Sequence, residues 1–173
     1  TRAPGSFAQL KKGLKNLRYG GIDGLIVIGG DGSMRGAMAL HERGFPVIGI
    51  PASIDNDIWG TNTAIGVDTA LNTIVEAIDK LRDTASSHKR AFLVETMGRH
   101  CGYLALMSGV IGGAEMVLIP EVDTPLEAVA DTITEAYVRG KTHAIILVAE
   151  GASHNASQVA AYLAEHAPLL QTR

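Results

Sequence analysis

A chain of 173 residues, 46% hydrophobic and 5% aromatic, is long enough for one or two small globular domains. Its net charge of −3 supplies no field that would draw nucleic acid, so any phosphate site must be built from local groups. No apolar run approaches the ~20 residues needed to span a membrane, nothing at the start reads as a secretory signal, and the single cysteine, Cys101, excludes an internal disulfide and suits a reducing cytoplasm.

Phe7, Leu10, Leu14 and Leu17 recur at helical spacing, which predicts an amphipathic helix over 6–18 with Ser6 as N-cap and Gly20-Gly21 as its stop. Residues 25–28 are continuously apolar, the pattern of a strand buried on both faces of a parallel sheet. A helix over 33–43 is expected to bury Met34, Ala37, Met38 and Leu40, and 47–50 reads as the next strand. Val67, Ala70, Leu71, Ile74, Val75, Ile78 and Leu81 form the strongest helical stripe and predict a helix over 67–84. A strand over 91–94 runs into Met97-Gly98-Arg99, a buried helix over 103–110 lies between glycines, and a short strand over 116–119 is stopped by Pro120. Leu126, Val129, Ile133 and Tyr137 mark a helix ending at Gly140, followed by a strand over 144–148 with Glu150-Gly151 at its end and a last helix over 156–165.

This alternation predicts a layered α/β/α fold with mainly parallel sheets and right-handed crossovers. The domain break is expected just before the long helix, near Gly66. The chain opens inside a turn, without an initiator methionine and without the strand that begins a doubly wound sheet. It therefore reads as a piece of a larger protein, a trimmed small domain being the alternative.

Chemistry concentrates in residues 24–57. Two apolar runs each end in a polar turn, Gly29-Gly30-Asp31-Gly32-Ser33 and Pro51-Ala52-Ser53-Ile54-Asp55-Asn56-Asp57. In open α/β sheets the carboxyl ends of strands are where ligands bind. Glycines let a phosphate approach the backbone, helix-start N–H groups point at it, and Asp31 adds a carboxylate suited to Mg²⁺. A plain tight turn with an Asp cap is the bland alternative. In the second turn, Asp55 and Asp57 stand two residues apart. One can act as general base on a hydroxyl while the other holds metal or orients the site, as phosphoryl transfer requires. An Asx-rich loop capping its own backbone is the competing explanation. Arg99, at the end of another strand, is placed to bind a sugar phosphate or stabilise transition-state charge, and Glu150 to accept from sugar hydroxyls. Each taken alone is more often a solvated residue. His88, Lys89 and Arg90 read as a solvated loop, and Cys101 as a buried bystander. The six histidines show no metal-ligand spacing, so no zinc site is assigned. Trp59 is placed either over the site or against the domain boundary.

GGDGS, P-x-S-IDND, the MGR triplet and a GGAE…PE segment, in this order, resemble the 6-phosphofructokinases over essentially the whole chain. GGDG alone would not distinguish them from lipid or NAD kinases. The resemblance to the ATP-dependent bacterial members implies glycolytic phosphoryl transfer from MgATP to the 1-hydroxyl of fructose 6-phosphate in the cytoplasm. It implies Asp55 as the base, with Asp57 and Arg99 assisting, and Asp31 as the Mg²⁺ ligand. Arg2, Gly30, Asp31, Gly32 and Ser33 would hold ATP. Ser53, Ile54, Asp55, Met97, Gly98, Arg99 and Glu150 would hold the sugar phosphate, and Arg90 would reach a neighbouring subunit's sugar site in a homotetramer. Arg82, Gly113, Ala114, Glu115, Arg139, Lys141, Thr142 and His143 match an effector site for a nucleotide or phosphoenolpyruvate. Residues 1–66 would be part of the nucleotide domain and 67–173 most of the sugar-phosphate domain, the isolated piece being inactive. Pyrophosphate-dependent members resemble this chain too, but carry Asp at the Gly32 position and Lys at the Ala52 position. Gly32 favours ATP, while Ala52 departs from the usual glycine and Ser53 from the commoner threonine. A non-catalytic, phospholigand-binding relative is the alternative from another class.

Overall fold

Helix and strand alternate through the residues that the computed structural model describes, 7–88 and 90–167. In chain order the elements are α1 (Phe7–Tyr19), β1 (Leu25–Gly29), α2 (Asp31–His41), β2 (Val47–Pro51), α3 (Val67–His88), β3 (Ala91–Thr96), α4 (Tyr103–Gly112), β4 (Met116–Leu118), α5 (Leu126–Val138), β5 (Ala144–Ala149) and α6 (Ala156–His166). They divide into two units, Thr1–Gly66 and Val67–Arg173. Ser6, expected to cap α1, lies outside the described residues, as do Arg2 and Lys89. Among the described residues no helix is long and apolar enough to cross a membrane.

The second unit is organised by β5, which lies between β3 and β4 in a parallel sheet ordered β3-β5-β4. All six of its residues are buried. Successive side chains of a strand point to opposite faces. Ala144, Ile146 and Val148 pack with Val129 and Ile133 of α5 and Val159 and Leu163 of α6. Ile145, Leu147 and Ala149 pack with Ile78 of α3 and Ala105 of α4. Two helical layers thus sandwich the sheet, and a continuous apolar run is what a strand covered on both faces requires.

The first unit departs from that expectation. β1 pairs in parallel with β2, Leu25 opposite Val47 through Gly29 opposite Pro51. Its residues alternate instead of being buried throughout: Ile26 is 66% exposed and Ile28 64%, with Ile48 of β2 likewise open. The reason is the number of layers. α2 covers one face of this pair, and no described element of the unit covers the other.

Three helices also differ from their sequence pattern. α2 begins at Asp31 rather than at Ser33, because the Gly30 carbonyl already accepts the Ser33 and Met34 N–H groups at 2.9 and 3.0 Å. α3 runs one turn further than expected, to His88, and that turn buries Ala85 completely. α4 is buried along one side only: Leu104, Ala105 and Ser108 are inside, whereas Leu106, Val110 and Ile111 are exposed. Its buried side is narrow because Gly109 and Gly112 let Val117 and Ile78 occupy the space a Cβ would take. The helix then ends at Gly113 in the left-handed conformation, φ +63°.

These packing differences set the cost of truncation. Leu147→Ala, in the doubly covered strand, is expected to lower unfolding free energy by about 2–5 kcal/mol, read from the urea midpoint. Ile48→Ala, on the open face of β2, is expected to change it by no more than about 0.5 kcal/mol.

Candidate active site

Within the first unit the two polar turns come together. Ala52 N–H donates to the Gly29 carbonyl at 2.9 Å, which extends the β1–β2 ladder into both turns. A Cβ on Gly30 would stand 3.4 Å from Ser53 Cβ and 3.5 Å from Ser53 Oγ. Gly29 lies against Ser33, whose Oγ would be 2.5 Å from an added Cβ. Gly29 thus lets Ser33 close onto backbone, while Gly30 stands in ordinary contact range of Ser53. The amides of Asp31 and Gly32, in the first turn of α2, have no acceptor inside the helix, and the helix dipole adds to their attraction for an anion. A Cβ on Gly32 would meet nothing within 4 Å, so folding alone does not demand glycine there.

The loop from Ala52 to Gly66 is held by one residue that the sequence pattern did not single out. Asn56 adopts φ +53°, donates from Nδ2 to the Asn62 carbonyl at 3.1 Å and accepts from the Ala64 N–H at 3.0 Å. Asparagine tolerates this left-handed geometry better than most residues, so its place between two aspartates was the available signal. Its turn sets Asp55 and Asp57 on either side of it, both half-buried. The Asp55 N–H donates to Ser53 Oγ at 3.3 Å. Ile54 packs 3.4 Å from where a Gly66 Cβ would be, and Trp59 is 99% exposed.

The charges of the first unit are unevenly paired. Asp31 Oδ1 accepts from Arg35 Nε at 2.9 Å, one turn along α2. That hydrogen bond and the Asp31 charge raise the Arg35 pKa above its ordinary value, with Asp57 contributing in the same direction. Asp57 Oδ1 is buried and has no hydrogen-bond partner among the described residues. No group of three or more His, Cys, Asp or Glu among the described residues could hold a metal ion by itself. Mg²⁺ bound through a nucleotide takes only one or two protein carboxylates, the remainder being phosphate and water. The Asp31 carboxylate and the unsatisfied Asp57 oxygen fit that demand.

In the second unit the candidates separate to the two ends of one sheet. At the carboxyl end, Met97, Gly98 and Arg99 follow β3, and Glu150 and Gly151 follow β5. The Glu150 N–H donates to Thr96 O at 2.9 Å and the Gly151 N–H to Gly98 O at 3.2 Å. Arg99 Nε lies 3.9 Å from Glu150 Oε1, and the Arg99 and Met97 side chains are exposed. Gly98 has φ +136°, a conformation glycine alone adopts readily. Gly151 was missed as a site residue: the Arg99 carbonyl crosses it where any Cβ would sit, so the two turns interlock only with glycine there.

Arg90 precedes the six-residue β3 and Arg99 follows it, so the strand's length of about 20 Å lies between its two ends. Glu115, Lys141, Thr142 and His143 precede β4 and β5 and share that amino end. Glu115 Oε1 pairs with Lys141 Nζ at 2.7 Å, and Oε2 accepts from the Ile145 N–H at 2.5 Å. Arg82 donates to the Gly112 carbonyl, beside Gly113 and Ala114. Burial raises the Tyr137 phenol pKa, with the Glu115 charge adding to it. Of the effector-site candidates, Thr142 is exposed and Arg139 turns toward Glu135 of its own helix, 3.8 Å away.

A family profile described as phosphofructokinase matches residues 2–173. The ATP-dependent 6-phosphofructokinases of Natranaerobius thermophilus and Macrococcus caseolyticus are 60% and 62% identical over 141 residues, 82% of this chain. The chain spans 44% of the length of each of these curated relatives. Among solved structures, phosphofructokinase from Saccharomyces cerevisiae superposes with a TM-score of 0.86 at 35% identity, covering 96% of this chain and 26% of that one. With the profile match running over all but the first residue and the fold agreeing, the chain belongs to the phosphofructokinase family.

Proposed function

We propose that this chain carries phosphoryl-transfer machinery of an ATP-dependent 6-phosphofructokinase. The observation that carries the reading is the closure of Gly29–Gly30 onto Ser53, which sets a glycine-lined helix N-terminus beside the Asp55–Asp57 loop. The names of the 60% and 62% identical relatives support the same donor and reaction.

In this reading Gly30, Asp31, Gly32 and Ser33 receive the ATP phosphates at the start of α2, together with Arg2. Asp55 takes the proton of the fructose 6-phosphate 1-hydroxyl as its oxygen attacks the γ-phosphorus. The bond to the β-phosphate oxygen breaks, and fructose 1,6-bisphosphate and ADP are formed. Asp31, with Asp57, would hold Mg²⁺, which neutralises charge on the nucleotide phosphates. Ser53 and Ile54 line the acceptor's side of that loop. Met97, Gly98, Arg99 and Glu150 hold the sugar phosphate, with the Arg99 guanidinium also offsetting charge on the transferred group. Arg90, at the far end of β3, serves another subunit of a homotetramer. Residues 1–66 belong to the nucleotide domain and 67–173 to the sugar-phosphate domain of a cytoplasmic glycolytic enzyme. The amino-end cluster, Arg82, Gly113, Ala114, Glu115, Arg139, Lys141, Thr142 and His143, takes a phosphorylated effector.

Three measurements test this, each in a chain of the relatives' full length carrying these residues. With fructose 6-phosphate and Mg²⁺, the 1,6-bisphosphate is expected from ATP and not from pyrophosphate; product from pyrophosphate alone would reverse the reading of Gly32. Asp55→Ser is expected to lower kcat by about 10²–10⁴-fold with the KM values changed much less, as removal of a general base does. Gly32→Asp should not lower the unfolding midpoint, since its Cβ meets open space, yet should raise the KM for ATP. An unchanged KM would remove Gly32 from the donor site.

A further inference from the structure

We propose that Glu121 is a positioning residue for the sugar-phosphate side of the site, holding the turn that presents Arg99. The proposal rests on the reading of that turn as a fructose 6-phosphate contact. Pro120-Glu121 belongs to the segment that carries the family resemblance, yet no part of the reaction uses it.

The Glu121 carboxylate reaches back across the end of the sheet to the N–H of Gly102, with Oε1 at 2.8 Å and Oε2 at 3.1 Å. Gly102 is the N-cap of α4 and has no side chain with which to cap that helix. A Cβ on Gly102 would collide with Ile119 and stand 2.8 Å from Glu121 Oε2, so glycine is what lets the carboxylate close. A negative charge at that helix N-terminus is further favoured by the α4 dipole. Upstream, the Gly98 carbonyl is held by the Gly151 N–H at 3.2 Å. Only Arg99, His100 and Cys101 lie between these two anchors, a span too short to swing freely. The direction of the Arg99 side chain therefore depends on both anchors. Glu121 is itself exposed, so its removal strands no buried charge.

The test compares Glu121→Ala and Glu121→Gln in a chain of the relatives' full length. Glu121→Ala is expected to raise the KM for fructose 6-phosphate about tenfold, the equivalent of one lost hydrogen bond to a charged group, with the KM for ATP unchanged. Glu121→Gln, which keeps an acceptor oxygen, is expected to restore most of the loss. Amide hydrogen exchange gives a second readout: faster exchange at 97–106 in Glu121→Ala alone, with the rest of the chain unaltered. A role confined to stability would weaken both substrates alike or neither. A wild-type KM for the sugar phosphate in Glu121→Ala, or equal losses for both substrates, would overturn the proposal. A wild-type chain unable to phosphorylate fructose 6-phosphate would overturn the functional reading, and the proposal with it, whatever the exchange shows.

Discussion

The burial of β5 on both faces is the constraint on which the second unit depends. Six consecutive side chains, none of them polar, leave the strand no choice but to sit between two helical layers. Its alternation then assigns α5 and α6 to one side and α3 and α4 to the other. Backbone polar groups inside such a sandwich must be paired, and the parallel ladders to β3 and β4 pair them. Polar chemistry is thereby driven to the strand ends. That is why the candidates fall into two groups, Met97–Glu150 at the carboxyl end and Arg90, Glu115 and Lys141 at the amino end.

Close approach of backbone to backbone gives the candidate site its shape. Gly30 against Ser53 joins the two turns of the first unit, and Gly151 beneath the Arg99 carbonyl joins the two turns of the second. Gly102 admits the Glu121 carboxylate in the same way. At Gly151 and Gly102 the absent Cβ is a geometric requirement of the fold, whereas at Gly30 a Cβ would make ordinary contacts with Ser53. Gly32 is different, since its Cβ direction is open and no neighbouring side chain demands glycine there.

Charge is arranged with similar economy. Asp31 is engaged by Arg35 on its own helix, whereas the Asp57 oxygen is buried without a hydrogen bond among the described residues. An unsatisfied buried oxygen costs stability unless something binds it. In the second unit, Arg99 and Glu150 stand at 3.9 Å, a solvent-exposed pair of the kind that adds little to stability.

The sequence by itself determined the order and type of every described element, because apolar periodicity reports which residues must leave water. It also determined the motifs, since Gly-Gly-Asp-Gly-Ser and Ile-Asp-Asn-Asp are local patterns whose chemistry is written in residue type. Element ends were legible to within a few residues, and α2 and α3 missed because a carbonyl bond and a buried Ala85 extend them. Only the tertiary structure decided how many layers each strand receives. The apolar run of β1 resembles that of β5, yet among the described residues only α2 packs on the β1–β2 pair, whereas β5 has helices on both faces. Tertiary structure also decided that Arg99 meets Gly151 and Glu150, that Arg90 does not, and that Glu121 reaches Gly102. These contacts join residues 19 to 52 positions apart, and no local pattern specifies which distant backbone will arrive at a glycine.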